Sequence, residues 1–232
     1  GAGGFTSGTI LPAISKTNSR IKYISSKGGL SSHNAAKKFG IEVNTTEYKE
    51  ILSDDEVNTV FITTPHNSHG KLVLESLNSG KNVFVEKPLA LKLEEIAEIE
   101  NYYKNTNNPK ILTVGFNRRF SSLSTKLKKY LSNTAGPKAI VYTVNSGFIP
   151  EDHWTQDPNV GGLRLVGEGC HFIDYIKFLI GKKVTDSTIT FADYKTKDIF
   201  TVTLKFEDGS IGTVHYFANG NKSFVKERVE VF

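Results

Sequence analysis

A glutamate and a lysine stand at the end of an apolar run, in the segment Val83–Phe84–Val85–Glu86–Lys87–Pro88. The residue before a proline is pushed out of the helical region of backbone space, so the run is expected to end as an extended strand. In open parallel sheets, ligands bind outside the carboxyl ends of the strands. Lys87 can therefore hold a substrate hydroxyl or a cofactor phosphate. Taken alone, the tripeptide is also compatible with an exposed lysine beside the start of a helix.

A glycine-rich segment, Gly1–Ala2–Gly3–Gly4–Phe5–Thr6, opens the sequence. In a dinucleotide-binding turn the first glycine makes the tight turn and the second lets the backbone approach the pyrophosphate. The third position normally carries a very small residue, and Thr6 is bulkier than usual. A helical pattern follows, whose amino end would point at the phosphates. The alternative is a flexible glycine run, but the helix and strand patterns that follow favour a cofactor turn.

The residues about 20 positions further on bear on the choice of cofactor. An acidic residue there usually binds the ribose 2′-hydroxyl of NAD. Here the predicted strand ends in Ser25–Ser26–Lys27, without a carboxylate. Two hydroxyls and a lysine suit a 2′-phosphate, so the sequence favours NADP(H) over NAD(H). The alternative is that Lys27 is only a solvated loop residue.

Two patterns of elements position these residues. In residues 1–120, short β-rich runs alternate with helical stretches, which predicts a Rossmann-type, doubly wound parallel sheet whose first strand is missing. The predicted strands are Ile21–Ser25, Val57–Thr63, Asn82–Val85 and Ile111–Gly115, and the predicted helices are Ser31–Phe39, Ser68–Leu77 and Leu93–Tyr103.

The second pattern predicts an α+β domain over residues 121–232, with a mostly antiparallel sheet. A helical connection is expected near Arg119–Pro137. One amphipathic helix, Gly167–Ile180, is predicted to end at Gly181. The predicted strands are Ala139–Val144, Val184–Phe191, Phe200–Phe206, Ile211–Phe217 and a last run over Arg228–Phe232.

Composition excludes several functional classes. The 232 residues are 38% apolar and 23% charged, which is typical of a soluble globular protein. No apolar run approaches the roughly 20 residues that span a bilayer. The net charge is +5, but the lysines are scattered, which argues against nucleic-acid binding. The single cysteine, Cys170, fits a reducing cytoplasm and is expected to be a small packing residue.

A start at glycine without any methionine predicts a fragment that is also trimmed at its carboxyl end.

Taken together, these features resemble the Gfo/Idh/MocA family of nicotinamide-dependent sugar and cyclitol oxidoreductases. The resemblance covers essentially the whole chain. The sequence at residues 115–120 and 152–158 is similar to that of a bacterial subgroup in which this module follows a zinc-type alcohol-dehydrogenase-like domain. The motifs that carry the resemblance are Gly1–Ala2–Gly3, Thr63–Thr64–Pro65–His66–Asn67–Ser68–His69, Glu86–Lys87–Pro88, Gly115–Phe116–Asn117–Arg118–Arg119–Phe120, Trp154–Thr155–Gln156–Asp157–Pro158, Gly161–Gly162 and His171–Phe172–Ile173–Asp174.

The resemblance implies roles for several of these residues. Glu86 and Lys87 would lie between nicotinamide and substrate, with Lys87 touching the reacting hydroxyl, and Trp154 would cover the cofactor. The turn Thr63–Thr64–Pro65–His66 and His69 would line the cofactor near its nicotinamide half. Alternatives from the residues themselves are that His66 and His69 cap the following helix, that Trp154 is core, and that Arg118 and Arg119 are surface charges. Otherwise the two arginines bind substrate or link the domains.

His171 is the predicted proton acceptor, because the pKa of an imidazole lies near working pH. The family pattern has an aspartate four residues earlier, where this chain has Gly167. Glu168 lies three residues before His171, a spacing that shares a helix face, so it could orient His171 or point elsewhere. Asp174 lies a turn further on, in a substrate-binding or structural role. No set of histidines and cysteines has metal-ligand spacing, so no metal site is expected.

The leading hypothesis is therefore an enzyme that transfers a hydride between NAD(P) and a secondary alcohol of a sugar, sugar nucleotide or polyol. The alternative is a non-catalytic NAD(P)-binding or scaffold module, which Gly167 and Thr6 keep open. The resemblance also implies a homo-oligomer formed through the antiparallel sheet.

Overall fold

The computed structural model describes residues 1–193 and 196–232. It divides into two compact units, Gly1–Gly115 and Phe116–Phe232. The sequence pattern predicts a domain boundary after residue 120. Each unit is described by itself below.

The first unit alternates short strands with helices, as the sequence pattern predicts. The strands are β1 (Tyr23–Ser25), β2 (Val43–Thr45), β3 (Thr59–Ile62), β4 (Asn82–Val85) and β5 (Leu112–Val114), and the helices are α1 (Leu11–Ile14), α2 (Leu30–Phe39), α3 (Tyr48–Ser53), α4 (His69–Asn78) and α5 (Leu93–Asn105). A π-helical segment, Thr6–Ile10, runs directly into α1. β2 and α3 are not predicted by the sequence pattern, because three and six residues are too short to show a hydrophobic period.

All strand pairs of this unit are parallel, but they form two groups. β3, β4 and β5 pair in that order, while β1 pairs with β2. The segment Gly1–Ala2 contacts both groups: Gly1 lies against Thr63 just after β3, and Ala2 is buried in the cluster that contains Ile24 of β1. The parallel Rossmann-type organisation is thus confirmed. A second cluster lies between the three-stranded group and helices α4 and α5, formed by Ile62, Val73, Leu77, Val83, Val85 and Ile99.

The second unit is a five-stranded sheet with helices. Its strands are β6 (Ala139–Asn145), β7 (Val184–Phe191), β8 (Ile199–Phe206), β9 (Ile211–Phe217) and β10 (Glu227–Val231), and its helices are α6 (Ser122–Ser132) and α7 (Cys170–Ile180). The order is β10-β6-β9-β8-β7, and every pair is antiparallel except β6 with β9. The predicted mostly antiparallel domain is confirmed.

Helix α7 carries the core of this unit. Phe172 and Ile176 are fully buried in one cluster with Tyr216 and Phe200. A Cβ at Gly212 would collide with Ile176, so this glycine lets α7 approach the sheet closely. The helix ends at Gly181 with φ of 73°, as predicted. It begins differently: the predicted first turn is a π-helical segment, Leu165–Gly169, that leads into Cys170.

Helices long and apolar enough to cross a membrane are not found in the described ranges 1–193 and 196–232.

Candidate functional site

The carboxyl ends of three parallel strands form one edge in the first unit. Ile62 of β3, Val85 of β4 and Val114 of β5 are in register. The ladder continues one step further, because the Glu86 amide donates to Ile62 at 2.9 Å and the Gly115 amide donates to Val85 at 2.8 Å. Thr63, Glu86 and Gly115 consequently follow their strands at the same edge, where ligands bind in open parallel sheets.

The glycine turn lies at this same edge. A Cβ at Gly1 would collide with the Thr63 carbonyl, so only glycine fits this close approach. At Gly3 and Gly4 an added Cβ would meet no atom within 4 Å, which leaves open space beside the turn. That combination of close packing and open backbone fits the pyrophosphate of a dinucleotide.

Thr6, the residue that departs from the glycine pattern, is accommodated by a hydrogen bond. Its side chain is buried, with 6% exposed. Thr6 Oγ1 donates to Thr63 Oγ1 at 2.8 Å. The bulk of Thr6 is thus placed against the end of β3, where its hydroxyl has a partner.

Glu86 is half-buried at the end of β4, and burial raises the pKa of its carboxyl group while the charge of Lys87 opposes this. The Glu86 carboxylate lies over the backbone of Gly115, where an added Cβ would come within 2.8 Å of Oε1. Lys87 is also half-buried, and its peptide bond to Pro88 is cis. Two consecutive residues at this edge are therefore Glu86, a carboxyl group of raised pKa, and Lys87, an ammonium group.

The turn after β3 contains two buried histidines, His66 and His69, whose ring centroids are 5.6 Å apart. His69 Nδ1 lies 2.7 Å from the Pro88 carbonyl oxygen and Nε2 lies 2.9 Å from the Thr64 carbonyl oxygen. Burial lowers the pKa of His69, the charge of Lys87 acts in the same direction, and the two carbonyls oppose this. No part of the His69 side chain is exposed, so it is not accessible to a cofactor. Its predicted contact with the cofactor stays a prediction that the geometry does not support.

Ser25, Ser26 and Lys27 follow β1, in the other strand group of the unit. The Ser26 hydroxyl donates to Ser32 Oγ at 2.9 Å and accepts from the Ser32 amide at 3.3 Å. Its hydroxyl is therefore directed at the first turn of α2, which contains no acidic residue. Lys27 is exposed.

In the second unit, His171 lies in the first turn of α7 and is 6% exposed. The Phe116 ring stands edge-on to the imidazole, with centroids 6.1 Å apart and planes at 76°. Cys170, its neighbour, is a half-buried cysteine.

Glu168 is engaged by groups that the sequence analysis missed. Its Oε2 accepts a 2.5 Å hydrogen bond from the Tyr216 hydroxyl and lies 2.9 Å from Arg164. Its Oε1 lies 3.7 Å from Lys226. Burial raises the pKa of Tyr216, and the charge of Glu168 adds to the effect. The i,i+4 spacing of Arg164 and Glu168 could have signalled this pair, but nothing local signals Tyr216, which is distant in sequence.

The paired arginines each contact a carboxylate within the second unit. Arg118 forms two hydrogen bonds with Glu227, at 2.6 and 3.1 Å, and Tyr142 donates to the same carboxylate at 2.6 Å. Arg119 forms a two-bond pair with Asp174. Both guanidinium groups and the Asp174 carboxylate thus already have internal partners, and their predicted contacts with substrate stay predictions.

Trp154 begins a short 3₁₀ turn, Trp154–Gln156, and is 42% exposed. It is not core, because much of the indole is at the surface of its unit. A Cβ at Gly161 would collide with the backbone of Thr155, so this glycine lets the loop fold back on the turn.

No group of three histidine, cysteine or acidic side chains arranged to hold a metal ion is found in the part of the chain that the structure describes.

Both units match models of one protein family. Residues 1–116 match the family described as "Oxidoreductase family, NAD-binding Rossmann fold", and residues 133–232 match the "GFO/IDH/MocA C-terminal domain". The chain belongs to the Gfo/Idh/MocA oxidoreductase family. The family resemblance and the Rossmann-type fold predicted from the sequence are thereby confirmed, while the attached zinc-type alcohol-dehydrogenase-like domain stays a prediction.

Two relatives of this family member are named as inositol dehydrogenases. The chain is 31% identical over 153 residues to scyllo-inositol 2-dehydrogenase (NAD(+)) of Bacillus subtilis, an alignment that covers 65% of this chain and 43% of the relative. It is 28% identical over 207 residues to myo-inositol 2-dehydrogenase of Thermotoga maritima, covering 84% of this chain and 60% of the relative.

Solved structures show the same fold. Levoglucosan dehydrogenase in complex with NADH and levoglucosan superposes with a TM-score of 0.84 at 21% identity, covering all of this chain and 69% of the other. The alignments with the first four curated relatives span 39–60% of those proteins' lengths.

Proposed function

We propose that this protein is an NAD(P)-dependent dehydrogenase that moves a hydride to or from a secondary alcohol of a sugar, sugar nucleotide or polyol. The observation that carries the proposal is the shared strand edge of the first unit, where the glycine turn, Thr63 and the Glu86–Lys87 turn lie together. Membership of an NAD-binding oxidoreductase family supports it, as do relatives named for inositol and levoglucosan.

The glycine turn would hold the cofactor pyrophosphate, through backbone amides around Gly3 and Gly4, while Thr6 and Thr63 keep the turn against β3. A bound nicotinamide supplies the hydride acceptor or donor. The exposed indole of Trp154 and the His66 turn are further proposed contacts to the cofactor.

Lys87 would hold and polarise the reacting hydroxyl, because an ammonium group stabilises the negative charge that develops on that oxygen. His171 would accept the hydroxyl proton during oxidation and return it during reduction, since a neutral imidazole accepts a proton near neutral pH. Glu86, of raised pKa, would lie beside Lys87 in the same turn. Glu168 is bound by Arg164 and Tyr216, so we assign it the role of counterion to Arg164 and hydrogen-bond acceptor for Tyr216.

For the cofactor, we propose NADP(H) over NAD(H). Support comes from the absence of a carboxylate between β1 and α2 and from the absence of an acidic residue in the first turn of α2. An exposed lysine at position 27 would pair with a 2′-phosphate. We further propose a cytoplasmic protein that self-associates through its five-stranded sheet, whose edge strand β7 is exposed along most of its length.

The test is spectroscopic turnover at 340 nm with NAD⁺ or NADP⁺ and a panel that includes myo-inositol, scyllo-inositol, levoglucosan and D-xylose. We expect Lys87→Ala and His171→Asn each to lower kcat/KM by about 10²-fold or more. Lys71→Ala and His33→Asn, which remove exposed side chains of the same types, should leave it unchanged. Full turnover in both active-site variants would contradict the mechanism.

A second function, a non-catalytic NAD(P)-binding module, is favoured by one observation: Glu168, the carboxylate three residues before His171, is bound by Arg164 and Tyr216. Fluorescence titration with NADPH and NADH separates the two. Cofactor binding without turnover across the panel would support the second function, and absence of binding would exclude both.

A further inference from the structure

His69 occupies a place that neither catalysis nor cofactor binding explains. It is the first residue of α4, and none of its side chain is exposed. Its ring lies between two backbone carbonyls, with Nδ1 at 2.7 Å from Pro88 O and Nε2 at 2.9 Å from Thr64 O. A buried imidazole whose two nitrogens both face main-chain oxygens is placed to connect chain segments.

The two segments are the turns that follow β3 and β4. Pro88 comes directly after Lys87, whereas Thr64 lies in the turn that continues through Ser68 to α4. The Thr64 turn is itself braced, since the Thr64 and Ser68 hydroxyls are 2.6 Å apart and Ser68 Oγ donates to Pro65 O at 2.8 Å. The imidazole therefore ties the backbone that carries Lys87 to an already ordered turn.

The hydrogen-bond chemistry fixes which nitrogen matters for Lys87. A carbonyl oxygen only accepts, so a ring nitrogen needs a proton to bond it, and a neutral imidazole carries one such proton. The contact of Nδ1 with Pro88 O, at 2.7 Å, is shorter than that of Nε2 with Thr64 O, at 2.9 Å, which favours the proton on Nδ1. Pro88 is buried, and a buried carbonyl that loses its donor is costly to the fold and drives rearrangement of its turn. A turn displaced by about 1 Å is enough to misplace a catalytic group.

We propose that His69 is a positioning residue for Lys87: its Nδ1–H donates to the Pro88 carbonyl and holds the Lys87–Pro88 turn against the turn after β3. The inference rests on the proposed function for its catalytic meaning. The geometry of the clamp itself is independent of turnover.

Two substitutions separate the two contacts. An asparagine amide nitrogen can take the position of Nδ1, so His69→Asn keeps the bond to Pro88. A glutamine amide nitrogen can take the position of Nε2, so His69→Gln can donate to Thr64 O but loses the bond beside Lys87. Each variant donates from one position of the same buried site, so each serves as the stability control for the other.

The first readout needs no substrate. In the wild-type protein, long-range ¹H–¹⁵N spectra of the imidazole should show Nδ1 protonated at neutral pH, and the Lys87 amide should have an order parameter of about 0.85, as in rigid backbone. In His69→Gln that order parameter should fall toward about 0.6, while His69→Asn should retain the wild-type value.

The second readout is kinetic. His69→Gln should lower kcat by about tenfold to a hundredfold with little change in the KM for the cofactor, and His69→Asn should recover most of the lost kcat. An unprotonated Nδ1 in the wild type, equal Lys87 order in all three proteins, or equal loss of kcat in both variants would overturn the proposal. Absence of turnover in the wild type would contradict the proposed function alone, because the spectra still test the clamp.

Discussion

The Tyr216 hydroxyl donates a 2.5 Å hydrogen bond to Glu168 Oε2. The Tyr216 side chain is held in place, because its ring is fully buried and stacks on Phe200 with the planes within 1° of parallel. Arg164, 6% exposed, approaches the same oxygen at 2.9 Å and lies over the Tyr216 ring. The carboxylate three residues before His171 is therefore part of a fixed group that neutralises a buried arginine.

We expect Glu168→Gln to lower the free energy of unfolding by about 2 kcal/mol, because the substitution removes the counterion of the buried Arg164 and weakens the acceptor of Tyr216. Urea unfolding at neutral pH measures this. Glu230→Gln is the control, since Glu230 pairs with the exposed Arg228 and should change stability by less than about 0.5 kcal/mol. Equal effects of the two substitutions would show that Arg164 does not depend on Glu168.

Most helices and strands of the fold could be predicted because the apolar residues within them recur with a clear period. The limits of β4, β7 and β9 agree with the sequence prediction, as does the end of α7 at Gly181. Strands of four to eight residues with an apolar run or alternation carry their own signal, and a glycine at a helix end adds another. The π-helical turn before α7 has no such signal, because one extra residue in a turn leaves the apolar pattern nearly unchanged.

The candidate site could be predicted only in part, for a reason visible in Arg118. Its motif marked it as a residue of interest, but its partner Glu227 lies at the far end of the chain and is reached through strand pairing of β10 with β6. Tyr216 and Glu168 are likewise joined only by the packing of β9 against the residues before α7. Sequence patterns report local spacing, whereas these partners are chosen by tertiary structure.

The cofactor preference leads to a second prediction. Lys27→Ala should raise the Kd for NADPH by about tenfold to a hundredfold, since one charge-assisted contact to a 2′-phosphate contributes about 1.5–3 kcal/mol, while the Kd for NADH should stay unchanged. Fluorescence titration with both cofactors measures the two constants. Lys16→Ala, which removes another exposed lysine of the same unit, is the control. Tighter binding of NADH than NADPH to the wild type would refute the assignment of Ser25, Ser26 and Lys27.

The ion pair of Arg119 and Asp174 gives a third prediction, which separates a structural role from substrate binding. We expect Arg119→Ala to lower the free energy of unfolding by about 1–3 kcal/mol, because Asp174 is 8% exposed and would lose its partner. Asp174→Ala should cost a similar amount, and the double variant should cost less than the sum of the two. Thermal or urea unfolding of the four proteins measures the coupling. A large rise in the KM for the sugar or polyol with additive stability effects would instead support direct substrate contact.

The raised pKa of Glu86 makes a prediction about pH. Burial is the main cause, so the native state holds the Glu86 proton more tightly than the unfolded chain, whose ordinary value is 4.5. A group of raised pKa contributes stability that is fully present below its unfolded value and is lost as pH rises through its folded value. Glu86→Gln imitates the protonated form. The difference in the free energy of unfolding between this variant and the wild type should therefore be near zero at pH 4, and the variant should become the more stable of the two toward pH 7. Urea unfolding at several pH values tests this, with the exposed Glu98→Gln as the control. If the relative stability of Glu86→Gln instead falls as pH rises, then attraction between the Glu86 carboxylate and Lys87 outweighs burial, and the pair acts as a fixed ion pair in the native protein.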